Sequence, residues 1–298
     1  MLPNGPNLIE VIAGTSAATS QPAKVEVVSN LQNAGLPNLY VVAIAVSDYE
    51  DPGMKLDFPD DDARGVVAAL KTQEGRFYEK VIVDELLNEQ VTDRNIRRSL
   101  KQLRENVTQY DVAVMIVTGH GYSAPDSTYY FCPHDFDQEE PTITGIPYDV
   151  LTGPLRDLPC KVILCMDTCH AAGVLGPKED SGLKQRGARS ALERALEYLT
   201  DIEAGVVVLT SSTGREPSFE RDAWGHGAFS LALIEVLTGK HKFDSKIPLP
   251  ADTNRDRFLE LSEIDAYVTA RVRELTNGRQ HPVTERGRVP SFPIGVAQ

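Results

Sequence analysis

Residues 112–121 read VAVMIVTGHG. Six apolar residues in succession, half of them valine, fit a strand buried on both faces of a parallel sheet. Threonine, glycine, histidine and glycine end the run. An imidazole therefore stands at the strand's carboxyl end, between two residues that let a ligand approach the backbone. Outward from this stretch the pattern repeats. Apolar runs at 39–46 (LYVVAIAV), 80–83 (KVIV), 161–166 (KVILCM) and 205–209 (GVVVL) predict further strands. Helices are predicted over 60–71, 92–106, 147–158, 188–200, 227–237 and 262–275. The first opens on an acidic turn. The second opens on Thr92 as a cap and carries Ile96, Leu100 and Leu103 at helical spacing. Strands and helices in this alternation form βαβ units. The expected class is α/β, a mainly parallel central sheet with helices on both faces.

The chain has 298 residues, enough for one large α/β domain or two small ones. Residues 1–37, rich in Asn, Pro and Ala, read as an extension with a strand at 24–28, and 38–298 as the main domain. At 41% hydrophobic and 24% charged the chain can build a core, which excludes a disordered or coiled-coil protein. The net charge of −13 argues against nucleic acid as a partner and is compatible with a cationic substrate. No apolar run reaches the length of a membrane span. The first basic residue is Lys24, and Glu10 interrupts the only early apolar stretch. A secretory signal is therefore not expected, and a reducing, cytoplasmic setting is. Cys132, Cys160, Cys165 and Cys169 then read as free thiols, with Cys160 and Cys165 as small buried hydrophobes. The first strand is followed by VSDYEDPG, without the glycine fingerprint of a nucleotide site. The longest irregular stretch is 174–189 (VLGPKEDSGLKQRGAR), and loops of that length in compact domains usually serve function.

In open α/β sheets reactive groups collect at the carboxyl edge. Two strands end there with unusual chemistry: TGHG at 118–121 and DTCHAAG at 167–173. A lone cysteine at a strand end is usually a packing residue, and a lone histidine a structural one. His120 and Cys169 together match a nucleophile and its base.

These residues resemble the caspase-like cysteine peptidases, on the metacaspase and bacterial side. The resemblance runs from residue 39 to about 296. It rests on YVVAIAVSDY, DDARGVVAAL, TGHG, DTCHAAG, SSTGREPSFE and WGHGAFSLAL. It implies a caspase-like fold and a cysteine endopeptidase in which Cys169 attacks as thiolate. His120 polarises the thiol or protonates the leaving amine, and the N–H groups of Gly121 and Cys169 form the oxyanion hole. No third member of the site is assigned. Animal caspases carry glutamine two residues before the nucleophile; here stand Asp167 and, after the thiol, His170, which argues against cleavage after aspartate.

Strand alternation sends Asp167 to the same side as Cys169 and His170 to the other. In metacaspase-like enzymes an aspartate in this place binds the Arg or Lys before the cut, helped by an aspartate on the first helix. Asp62 is the match for the second, with Asp60 and Asp61 as rivals, and all three also read as a helix cap. By the same resemblance Ser211 and Ser212 line the substrate cleft. Trp224 reads as core or cleft, and the place of His226, after the fifth strand, disfavours it as base. The stretch 174–189 corresponds to a linker often cut during activation, so self-cleavage after Lys184, Arg186 or Arg189 is expected. Bacterial relatives often serve in programmed death or defence.

No cofactor is required by this chemistry. Calcium is considered at 252–263, where Asp252, Asn254, Asp256 and Glu263 take oxygen-ligand places of an EF-hand loop, although Arg257 stands where that loop needs glycine. Expected partners are proteins or peptides with basic residues, together with an unidentified regulator, and neither nucleic acid nor membrane. Two rival readings stay open: a caspase-fold interaction module without activity, and a thiol hydrolase that is not a peptidase.

Overall fold

Each apolar run forms a strand, and most of these strands are buried on both faces. In the computed structural model the described residues are 5–15, 19–29, 35–124, 126, 128–170, 205–212, 218–287 and 289–298, with the backbone alone at Ser29, Cys169 and His170. The predicted helix at 188–200 and the stretch 174–189 lie outside them.

The main unit begins at Pro37. Its elements are β1 (Leu39–Ala45), α1 (Pro59–Lys71), β2 (Val81–Leu87), α2 (Asp93–Asn106), β3 (Val112–Ser123), β4 (Tyr129–Phe131), α3 (Tyr148–Arg156), β5 (Lys161–His170) and β6 (Val206–Thr210). A two-residue ladder, β7 (Glu220–Arg221) with β8 (His226–Gly227), leads into α4 (Ala228–Thr238). The chain closes with β9 (Phe258–Glu260), α5 (Leu261–Leu275), β10 (Val283–Glu285) and β11 (Pro293–Val296). The central sheet runs β10-β6-β5-β3-β1-β2, with β4 paired beside the end of β3. From β6 to β2 every pairing is parallel, and β10 adds an antiparallel edge.

Alternation along the strands divides the core in two. Val114, Ile116, Ile163 and Cys165 pack with residues of α1, α4 and α5. Met115, Val117, Leu164 and Met166 pack with residues of α2 and α3. Helices therefore cover both faces, as a parallel sheet requires. Thr92 caps α2, its hydroxyl accepting the Asn95 N–H at 3.3 Å. Cys160 and Cys165 are buried, and burial pushes their thiols up to about 11 and about 12, so they act as packing groups. Among the described residues no helix is long and apolar enough to cross a membrane.

The predicted strands at 112–117 and 161–166 run further than the apolar runs that signalled them. Pairing continues from Thr118 with Asp167 to Gly121 with His170, so both motifs lie on the sheet itself. Ladder hydrogen bonds, which leave no trace in hydropathy, carry the extra residues. The N-terminal unit holds a hairpin, Gly5–Val11 with Ala23–Ser29, where one strand was expected. Pro6 and Glu10 hide the first of its strands from a reading by apolar pattern.

Candidate active site

The ladder that sets Val114 level with Ile163 in the core sets His120 level with Cys169 at the sheet edge. His120 and Cys169 are thus backbone neighbours on adjacent strands because the two apolar runs pair in register.

His120 is buried at 5% exposure, and its surroundings fix its chemistry. Its backbone N–H donates to the Tyr49 hydroxyl at 2.8 Å, and the two rings lie 5.2 Å apart. Ring Nε2 sits 2.9 Å from the carbonyl oxygen of Met54. A carbonyl only accepts, so Nε2 carries the hydrogen and Nδ1 the lone pair. Nδ1 is buried and has no hydrogen-bond partner among the described residues. Burial holds the pKa of His120 below its ordinary value, against the pull of the Met54 carbonyl, so the ring is a neutral base at pH 7.

The carbonyl that orients this ring comes from a short capped turn. Asp51 accepts the Gly53 N–H at 2.8 Å, and Pro52 opens the single 3-10 turn that ends on Met54. Sequence alone did not assign a third member of the site, because a backbone oxygen has no residue type. The Asp-Pro-Gly turn after the first strand was its only trace. Beside the histidine, Gly121 leaves no room for a side chain: a Cβ there would fall 1.8 Å from the Tyr129 hydroxyl. That hydroxyl in turn lies 2.9 Å from Thr168 Oγ1, which ties β4 to the strand position before Cys169.

A cavity of about 160 Å³ opens beside these strand ends, with Thr118, Gly119, Asp62, Asp167 and Gly227 in its wall. Asp62 is buried at 3% exposure. Its Oδ1 accepts from His226 Nδ1 at 2.9 Å and from the Gly227 N–H at 3.1 Å. Asp167 Oδ1 accepts the Ser218 hydroxyl at 2.6 Å, and Ser218 Oγ lies 2.6 Å from Ser211 Oγ. The two carboxylates meet around Gly227, where a Cβ would stand 3.0 Å from Asp62 Oδ2 and 3.2 Å from Asp167 Oδ2. Burial raises both carboxyl pKa values, and the facing charge of Asp167 helps push Asp62 up to about 6.

Among the three aspartates of the first helix, Asp62 alone reaches the cavity. Asp60 pairs with Ser47 and with Arg64 (2.6 Å), and Asp61 is exposed beside Arg64. Ser211 touches the Ser218 hydroxyl, and both serines help to offset the burial of Asp167. Ser212 is buried, and its carbonyl accepts the Thr210 hydroxyl at 3.0 Å. Trp224 lies in the core at 6% exposure. His226 serves Asp62, a role with no local signal beyond the WGHG glycines. Ser218, His226 and Gly227 were all missed as pocket residues.

The loop 252–263 uses its oxygens internally. Asp252 accepts the N–H groups of Asp256 (3.1 Å) and Arg257 (3.0 Å). Asn254 accepts the Asp256 N–H at 2.9 Å. Glu263 accepts from the Thr253 N–H at 2.6 Å and from the Glu260 N–H at 3.0 Å, the latter as the third helical residue of a capping box whose N-cap is Glu260. Among the described residues no group of three or more His, Cys, Asp or Glu is set to hold a metal ion.

The caspase-domain family profile matches residues 39–291. No curated protein matches the chain. Among solved structures, a protein from Geobacter sulfurreducens is similar with a TM-score of 0.57 at 15% identity, covering 83% of this chain and 92% of that one. Caspase-1 from Spodoptera frugiperda is similar with a TM-score of 0.54 at 14% identity, covering 89% of this chain and 96% of that one. At such identities the likeness is one of fold. The family match, which spans most of the length and carries both the histidine and the cysteine strand ends, shows that this chain belongs to the caspase-domain family of cysteine peptidases.

Proposed function

We propose that the protein is an endopeptidase that cuts peptide bonds after arginine or lysine, with Cys169 as nucleophile and His120 as its base. The convergence of Asp62 and Asp167 on the gap left by Gly227, beside the His120 strand end, is what supports this most. A cation leaving water needs a paired anion, and this pocket holds two. Cys169 attacks the scissile carbonyl while Nδ1 of His120 takes the thiol proton and returns it to the leaving amine. The N–H groups of Gly121 and Cys169 receive the developing oxyanion. Self-cleavage after Lys184, Arg186 or Arg189 belongs to the same proposal, since these side chains are of the kind the pocket accepts. Calcium is not needed by any step.

Peptides that differ only in the residue before the cut test the specificity. Arginyl and lysyl peptides should be cleaved, and aspartyl and leucyl ones should not. A preference for the aspartyl peptide would overturn the reading.

Acidity supplies a second test. A bound cation favours the ionised carboxylate, so binding should strengthen as pH rises through about 6, where Asp62 loses its proton. Calorimetry of an arginyl peptide with Cys169→Ala enzyme should show that rise, and Asp62→Asn should reduce it to the part contributed by Asp167 and Glu220, whose carboxyl pKa values are also raised in this cavity. An equal pH dependence in both proteins would remove Asp62 from the pocket's chemistry.

A further inference from the structure

The outer edge of the central sheet carries polar groups that the cleft does not use. Among the described residues β2 pairs with β1 alone, so one side of its backbone is open. The Lys80 carbonyl accepts the Leu39 N–H at 2.9 Å. Residues 80, 82, 84 and 86 therefore turn their backbone groups toward β1, and 81, 83, 85 and 87 turn theirs outward. Side chains close both ends of the outward row. Glu74 accepts the Val81 N–H at 2.7 Å, and Gln90 accepts the Leu87 N–H at 3.3 Å. Between them the N–H groups of Val83 and Glu85 have no partner among the described residues.

A cavity of about 640 Å³ adjoins this open stretch, walled by β1, β2 and α2. Tyr40, Val42 and Ile82 make part of its wall, and Asp84 and Glu105 add two carboxylates, with no lysine or arginine among its lining residues. Asp84 is partly buried and has no hydrogen-bond or ion-pair partner among the described residues. Ser99 lines the cavity from α2 at 1% exposure, and its hydroxyl also has no partner there. A buried hydroxyl left unpaired by its own chain calls for a group from outside. The place is remote from the cleft. Asp84 is level with Val42, and Val42 with Met115, five positions before His120, so more than about 15 Å of strand lies between.

We propose that this edge is a docking site for an extended segment of a partner protein, which adds to β2 as a further strand and lays a basic side chain in the cavity. The segment's backbone pairs with the open groups of Val83 and Glu85. The stem of the basic residue follows Tyr40, Val42 and Ile82, and its charged head donates to Asp84 and to the Ser99 hydroxyl. Docking there needs neither Cys169 nor His120.

The peptide acetyl-Val-Lys-Val-Lys-Val-amide, which presents lysines on one face and valines on the other when extended, is the probe. It should be added at millimolar concentration to Cys169→Ala protein, which cannot cut it, with hydrogen exchange read at single amides. Exchange at Val83 and Glu85 should slow by about tenfold or more. Asp84→Asn should weaken binding by about tenfold or more, the scale of a hydrogen bond to a charged group. Val83→Pro removes an outward N–H and leaves the ladder to β1 in place, so protection of Glu85 should be lost. Melting curves confirm the fold of each variant, and Asp84→Asn alone decides if the proline variant does not fold. No slowing at Val83 and Glu85, or slowing confined to 167–170 at the cleft, would overturn the edge site. Protection undiminished in folded Asp84→Asn would overturn it as well.

Discussion

Cys169→Ala is expected to abolish peptide cleavage, and His120→Ala to lower kcat by about 10²–10⁴-fold or more, both without loss of the fold. Alanine at 169 leaves no atom that can form the acyl-enzyme. Alanine at 120 removes Nδ1, the one buried side-chain nitrogen of the site that has a lone pair and no hydrogen-bond partner among the described residues. Burial matters to the size of the second effect. Burial holds the His120 pKa below its ordinary value, which favours the neutral ring that the proposed base role requires. The fold should survive, because Cys169 lies near the strand's end and the Met54 carbonyl left behind is part of a self-capped turn. Steady-state kinetics on an arginyl peptide, with circular dichroism of each variant, checks both statements. Wild-type turnover by either folded variant would dismiss the dyad.

The strands were legible because a parallel sheet buried on both faces demands unbroken apolar runs, and LYVVAIAV and VAVMIV have no other good explanation. Helix boundaries were legible where chemistry marks them, as at Thr92 and at the acidic first turn of α1. The short strands β9, β10 and β11, of three or four residues, fall below the length at which a period can be read. Register was not legible at all. That His120 pairs with Cys169 and not with a neighbour follows from two whole strands settling on one another.

The pocket shows the same division. Asp167 was legible from its place two residues before Cys169. The choice of Asp62 among three adjacent aspartates was not, because it depends on a helix rotation that brings Asp62 to Gly227, far away in sequence. Neither Ser218 nor His226 carries a local pattern. At 252–263, oxygen-bearing residues at alternate places suit a cation loop and a chain of turns that caps a helix equally well. Spacing alone does not separate the two, whereas the hydrogen bonds to Glu263 are those of a cap.

Asp167→Asn should separate what the pocket does for the substrate from what it does for the fold. Asparagine keeps an oxygen for the Ser218 hydroxyl and removes only the charge. Loss of one partner from an enclosed ion pair costs about 2–5 kcal/mol, so kcat/KM for an arginyl peptide should fall by about 30-fold to several thousand-fold. Stability should move the other way. Burial raises the carboxyl pKa of Asp167, so the native state holds a proton that the unfolded chain has already released. The group therefore favours the fold below the ordinary carboxylate range, and that contribution is lost as pH rises through the raised native value. Above it, without substrate, Asp167 and Asp62 stand charged and facing each other. An uncharged amide at 167 escapes this, so the variant's melting temperature should equal or exceed that of wild type at pH 8, with the difference shrinking at pH 4. Melting curves at the two pH values, beside kinetics on the same preparations, provide the measurement. A variant that loses melting temperature and activity together at pH 8 would make Asp167 a structural residue and take the cation pocket away from it.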